Sequence, residues 1–146
     1  MSYITINKKI EAPKEQVFEI VADIRNFSKV IPEIKNVEFL SEQQYGVGTK
    51  YKETRDMNGR EASTVLEVTE LVENEHIRLI SDAGGTVWDS IFKVEEKEGG
   101  TELSLVMEAR PYKFLPKIIA PFMKGFMRNA IEKDMDATKR YCEAEV

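Results

Sequence analysis

Cysteine and histidine are nearly absent from this sequence, which has one of each among its 146 residues. A lone Cys142 cannot form an intrachain disulfide, and one cysteine with one histidine argues against a zinc cluster. The same scarcity argues against a nucleophile–base pair, which needs both side chains close in space. The sequence therefore predicts no metal ion and no cofactor.

Long apolar runs and an excess of basic charge are also missing. No stretch reaches the ~18 apolar residues of a membrane span, and the N-terminus lacks the apolar region of a secretory signal. The 21 Lys and Arg are outnumbered by 26 Asp and Glu, for a net charge of −5. Nucleic-acid binders need a basic face, so we expect a cytoplasmic protein that does not bind nucleic acid.

The sequence does contain a regular order of strand and helix patterns. Apolar residues alternate over 3–10 as in a strand, and the period becomes helical over 12–24. A short second helix ends before Pro32, and six strand-like segments follow it. From Tyr112 onward the pattern is helical almost to the end. The strand-like segments are separated by turn signals that include Asn58-Gly59, Gly84-Gly85 and Gly99-Gly100.

This order predicts one α+β domain over residues 1–146. The expected architecture is a curved, seven-stranded antiparallel sheet wrapped around a long C-terminal helix, with two short helices between the first two strands. Only the C-terminal helix is long and apolar enough to cover the sheet. A strongly curved sheet that grips one helix tends to leave a space between them.

Five segments together resemble a known superfamily over nearly the whole chain. They are IEAPKEQVFEIVADIRNFSKVIPEIKNVEFL (10–40), GVGTKY (46–51), LEVTELVENEHIRL (66–79), GGTVWDSIFKVEE (84–96) and GGTEL (99–103). The chain resembles the START-related, Bet-v-allergen-like superfamily called SRPBCC, and in detail its polyketide cyclase/dehydrase branch with coenzyme Q-binding and lipid-transfer relatives. The resemblance implies the helix-grip fold.

The resemblance also implies a class of function. It favours binding or carriage of a hydrophobic small molecule (a lipid, isoprenoid, quinone or polyketide-like compound) in a cavity between the sheet and the C-terminal helix. Folds of this kind host several functions, so two alternatives stay open. One is an enzyme of the polyketide cyclase/dehydrase type, and the other is a protein-interaction module associated with ribosomes or chaperones. Non-catalytic binding is the preferred interpretation.

Three polar residues alternate on one face of the strand that follows Gly48. If Tyr51 faces the apolar side of the sheet, Glu53 and Arg55 do so too, and burying these charges is costly unless they pair. Placed there, they would orient the polar head of an otherwise apolar ligand. A carboxylate beside a phenol also makes them weak catalytic candidates. The alternative is a structural ion pair or an exposed strand face.

The rest of the predicted ligand site is apolar. Strand alternation selects large residues on the inner face, and the C-terminal helix adds aromatic residues and a methionine. We expect a cavity of roughly 300–1,000 Å³, the usual size of a ligand site; simple core packing is the alternative. The predicted wall consists of Leu66, Trp88, Phe92, Leu105, Met107, Phe122, Met123 and Phe126.

The segment FLPKIIAPFMKGFMRNAI (114–131) is the most apolar part of the chain, yet it is interrupted. On a helical wheel its apolar residues form a broad face opposite a narrow stripe of cations. Pro121 and Gly125 predict a kink or break. Our hypothesis is a gate whose apolar face closes on the sheet while the cations face anionic membranes; a core helix with solvated lysines is the alternative. The stripe consists of Lys113, Lys117, Lys124 and Arg128.

Overall fold

A computed structural model describes residues 2–145 of the chain. The elements follow the predicted order, with a short 3-10 turn at Ile24–Asn26 between the two small helices. They are β1 (Ser2–Ile10), α1 (Lys14–Ala22), α2 (Phe27–Val30), β2 (Ile34–Phe39), β3 (Lys50–Met57), β4 (Arg60–Val72), β5 (His76–Ala83), β6 (Thr86–Lys97), β7 (Gly100–Pro111) and α3 (Phe114–Ala144).

The seven strands form one antiparallel sheet in the order β1-β7-β6-β5-β4-β3-β2. Each strand from β2 to β6 pairs with the next one along the chain, and β1 pairs with β7. Register shifts in β2 and β4 interrupt the ladders, and such bulges bend a strand and increase its twist. The predicted α+β helix-grip fold is confirmed.

The predicted glycine-marked hairpins are present because their turn residues adopt left-handed conformations. Asn58 and Gly59 have φ values of 57° and 85°, and Gly84 and Gly85 have 62° and 86°. Two consecutive residues with positive φ match the right-handed twist of the flanking strands. These turns therefore set the pairing of β3 with β4 and of β5 with β6.

The core lies between the sheet and two helices, α1 and the second half of α3. Val17, Phe18 and Val21 of α1 are buried, as are Ile131 and Met135 of α3. Helix α3 packs mainly along β1, near one edge of the sheet. It therefore leaves the concave face of the central strands partly uncovered.

The first half of α3 is oriented opposite to our prediction. Phe122 is 83% exposed and Phe126 is 53% exposed, so the expectation that the apolar face of this half-helix packs on the sheet is wrong. The expected break is absent as well, since α3 continues through Pro121 as one helix of 31 residues. In a continuous helix of 3.6 residues per turn, the residues that face inwards in one half determine which residues face inwards in the other half.

The burial of the second half of α3 sets the rotation of the whole helix. The face that buries Met135 and Cys142 continues towards the N-terminus through Lys124 and Ala120. The bulky residues of the first half lie on the other side of the wheel. They therefore point to solvent, although they are more apolar than the residues that point inwards.

Candidate functional site

A cavity of about 380 Å³ lies between the concave face of the sheet, the two small helices and α3. Its volume falls within the range expected for a ligand site. Side chains of β3 to β7 form most of its wall because successive residues of a strand alternate between the two faces. Eight residues of the predicted site line it: Tyr51, Glu53, Arg55, Leu66, Trp88, Phe92, Leu105 and Met107.

The three remaining residues of the predicted site lie elsewhere. Phe122 and Phe126 do not line the cavity, since the rotation of α3 turns them towards solvent. Met123 instead lines a second cavity of about 250 Å³ beneath the first half of α3. Trp88, Met107 and Met127 contribute to both cavities, so these three side chains mark the boundary between them.

Tyr51 is completely buried at the wall of the larger cavity. Its ring meets Phe27 edge-on, with 6.2 Å between the ring centroids, and also contacts Phe39. Its hydroxyl has no hydrogen-bond partner in the described part of the chain. Burial, with a further contribution from Glu53, raises the pKa of Tyr51 well above its usual value. The phenol is therefore a neutral donor near pH 7.

Arg55 is held between two carboxylates on the cavity wall. Its Nε donates to Glu53 Oε2 at 2.7 Å, and its Nη1 donates to Asp134 Oδ1 at 3.1 Å. Its Nη2 lies 2.8 Å from Asp134 Oδ2. This fork links β3 to α3 in a bidentate arrangement, which is the strong geometry for arginine and carboxylate.

The two carboxylates control the electrostatics of the site. Burial alone would lower the pKa of Arg55, but Glu53 and Asp134 outweigh it and the pKa is raised. Burial raises the pKa of Asp134, and Arg55 only partly offsets this effect. All three nitrogens of the guanidinium are engaged by carboxylates. Among the described residues that line this cavity, the buried polar atom without a hydrogen-bond partner is the hydroxyl of Tyr51.

Sequence reasoning missed Asp134 and the contribution of the small helices. Asp134 lies on the inward face of α3, and a charged residue there was a usable signal, because such a position needs a partner. Phe27 and Ile31 close one end of the cavity. They lie in and after a helix of only four residues, for which sequence periodicity gives no inward face.

The curved sheet, the gripping helix and the cavity between them define the helix-grip class of START-like proteins, the SRPBCC superfamily. A family profile described as "Polyketide cyclase / dehydrase and lipid transport" matches residues 1–143. The chain belongs to this family. A search of curated protein sequences found no match.

Solved structures with the same fold cover almost all of this chain. TTHA0849 from Thermus thermophilus superposes with a TM-score of 0.80 at 15% identity, over 99% of each chain. A START superfamily protein from Mycobacterium smegmatis gives 0.77 at 16% identity, over 99% of each chain. The di-domain ARO/CYC StfQ from the steffimycin biosynthetic pathway gives 0.81 at 10% identity, over 98% of this chain and 51% of StfQ. At these identities the likeness establishes the fold alone.

Within residues 2–145, no helix combines the length and the apolar character needed to cross a membrane.

Proposed function

We propose that this protein binds or carries a hydrophobic small molecule in the larger cavity. The observation that carries the proposal is a mostly apolar cavity of about 380 Å³ whose wall contains one buried hydroxyl without a partner, that of Tyr51. Ligand sites are mostly apolar with a few placed polar groups. The description of the family, which includes lipid transport, supports the same ligand class.

The wall indicates what the ligand carries. Tyr51 donates a hydrogen bond to a carbonyl or hydroxyl oxygen of the ligand, and Trp88, Phe92 and Leu105 pack against its apolar body. Arg55 lies at the same end of the cavity as Tyr51. It does not bind the ligand strongly, because its nitrogens already contact Glu53 and Asp134. A quinone, isoprenoid, lipid or polyketide-like compound with one oxygen at this end meets these requirements. We place this activity in the cytoplasm, as the sequence predicts.

Polyketide cyclase/dehydrase-type catalysis is the second candidate function. The description of the family and the likeness to StfQ favour it. The weak catalytic candidates are Tyr51, Glu53 and Arg55, but raised pKa values keep Tyr51 and Arg55 protonated near pH 7. Glu53, the carboxylate among the three, accepts a hydrogen bond from Arg55 Nε at 2.7 Å, and this pairing favours simple binding over a role as a base. A filled core together with an exposed apolar patch would have favoured an interaction module; α3 exposes such a patch, but the core contains a cavity.

Two measurements test the binding proposal. Mass spectrometry of organic extracts from freshly purified protein should detect a hydrophobic compound in stoichiometric amount. Titration with the apolar dye Nile red should show saturable binding that Ser90→Leu, which fills the cavity, weakens at least tenfold. Ser63→Leu on the exposed face of β4 is the matched control. Equal dye binding by both variants would contradict the proposal.

A further inference from the structure

The first half of α3 presents a cluster of large apolar side chains to solvent. Phe114 is 80% exposed, and six neighbours are exposed as well. Monomeric soluble proteins rarely expose a contiguous apolar patch of this kind unless it contacts something. We call it the α3 apolar surface, and it consists of Phe114, Leu115, Ile118, Ile119, Phe122, Met123 and Phe126.

Positively charged side chains lie on the opposite side of the same half-helix. Residues 109–131 contain five cations and no acidic residue, although the whole chain has a net charge of −5. Four of these cations, the stripe defined from the sequence, form no ion pair within residues 2–145. Arg128 only donates weakly, at 3.5 Å, to the carbonyl oxygen of Thr5. The stripe is therefore available to an anionic partner.

We propose that the α3 apolar surface docks on anionic lipid bilayers. A helix with exposed aromatic and aliphatic residues on one face and cations on the other matches the interfacial membrane helix, whose apolar face enters the headgroup boundary while long cationic side chains extend to anionic lipids. Docking reverses the orientation expected from the sequence, because the apolar face contacts lipid and not the sheet. A second copy of the chain is a poorer partner, since pairing through this surface brings together two half-helices whose charged residues are all cationic.

The docking surface lies directly over the second cavity. Ile119, Met123 and Lys124 of α3 line that cavity, which shares Trp88 and Met107 with the larger one. A docked protein would therefore hold a wall of the second cavity against the bilayer. Docking itself needs no cavity ligand, so it stands or falls independently of the proposed function.

Co-sedimentation with vesicles tests the proposal. The protein should bind vesicles of phosphatidylcholine mixed with phosphatidylglycerol and should bind phosphatidylcholine alone much more weakly. Each cation near an anionic surface changes affinity about fivefold, so changing all four stripe residues to Gln should reduce binding by roughly a hundredfold or more. In the control, four exposed lysines elsewhere in the chain are changed to Gln, so the control and the stripe variant have the same net charge. The control positions are Lys29, Lys50, Lys93 and Lys97.

A second variant separates the apolar contribution from charge. Phe114→Ser with Phe122→Ser removes two almost fully exposed rings, so folding should be unaffected while binding falls at least tenfold. Equal losses in the stripe and control variants would overturn the proposal, as would the absence of binding by the native chain. A dimer in lipid-free light scattering that this Phe variant dissociates would show that the surface pairs two copies and would also overturn it.

Discussion

At the residue scale, Tyr51 combines complete burial with an unsatisfied hydroxyl. Burying a hydroxyl without a hydrogen bond costs about 1–3 kcal/mol. The fold therefore retains a group that destabilises the empty protein, and its position on the cavity wall supports a role towards a ligand.

Tyr51→Phe should separate the effect of the hydroxyl on stability from its effect on ligand binding. We expect the empty protein to gain about 1 kcal/mol of unfolding free energy, because the unsatisfied hydroxyl is removed. Affinity for the extracted ligand should fall about three- to tenfold, the worth of one net hydrogen bond. Urea unfolding and ligand titration measure the two quantities. Tyr112→Phe is the control, because that exposed hydroxyl donates to Asp82; a loss of stability in Tyr51→Phe would contradict the interpretation.

Arg55 should show the asymmetry of a paired buried charge. Arg55→Ala leaves two carboxylates without their cation, so we expect a loss of up to about 3 kcal/mol, below the full value for complete burial because 26% of the side chain is exposed. Changing Glu53 as well still leaves Asp134 unpaired. The triple replacement Glu53→Leu, Arg55→Met and Asp134→Leu should recover most of the loss in urea unfolding. A triple variant less stable than Arg55→Ala would contradict this account.

At the element scale, a charge cluster connects three neighbouring strands on the convex face of the sheet. Arg78 of β5 donates from Nε and Nη2 to Asp89 of β6 at 2.9 and 2.6 Å. Arg110 of β7 lies 3.2 Å from Asp89 and also pairs with Glu108. Asp89 is nearly buried between the two arginines, so it is the centre of the cluster.

Asp89→Asn should therefore lower stability in a pH-dependent way. Arg78 above all, and Arg110 after it, hold the pKa of Asp89 below its usual value. Its stabilising effect is complete above the unfolded pKa of about 3.9 and is lost as the pH falls through the lower folded pKa. We expect a loss of about 1–3 kcal/mol at pH 7 that shrinks below about pH 4. Glu95→Gln, at an exposed position of the same strand, is the control; a pH-independent loss would rule out this cause.

Helix α3 contains Pro121 in a half that the sheet holds only weakly. Proline lacks the N–H that would bond the carbonyl of Lys117, and it costs about 3 kcal/mol against alanine within a helix. Pro121→Ala should therefore slow amide exchange over residues 114–126 at least tenfold and change global stability less. Gly125→Ala, which improves helix propensity by about 1 kcal/mol, should slow amide exchange less than Pro121→Ala does. Unchanged exchange in both variants would show that the half-helix is already as stable as the core.

At the scale of the whole molecule, Cys142 reports on global unfolding. It is fully buried where the end of α3 meets the core, and burial raises the pKa of its thiol to about 12. Since the thiolate is the reactive form, iodoacetamide at pH 8 should label the native protein only at the rate of unfolding, in parallel with urea denaturation. Arg140→Cys in a Cys142→Ala background should label at once. Rapid native labelling of Cys142 would show local fraying of α3.

Local pattern was sufficient to predict the strands and the inner face of the sheet. Side chains alternate between the two faces of a strand with a period of two, so an inward Tyr51 predicts that Glu53 and Arg55 also face inwards. The structure confirms that all three line the cavity. That they bind a ligand remains a proposal. Turn chemistry at Asn58-Gly59 likewise specified its hairpin without reference to the rest of the chain.

The sequence by itself determined the order of the elements, the hairpin turns and the inner face of the sheet, because these depend on short-range periodicity and local backbone conformation. It also indicated the family, through the resemblance of five segments to a known superfamily. The tertiary structure alone decided the rotation of α3 and the partners of Arg55. A continuous helix has one rotation, and the buried contacts of Ile131, Met135 and Cys142 set it for all 31 residues. The apolar residues of its weakly packed first half were left facing solvent, and Asp134 was brought to β3 across 79 residues of sequence.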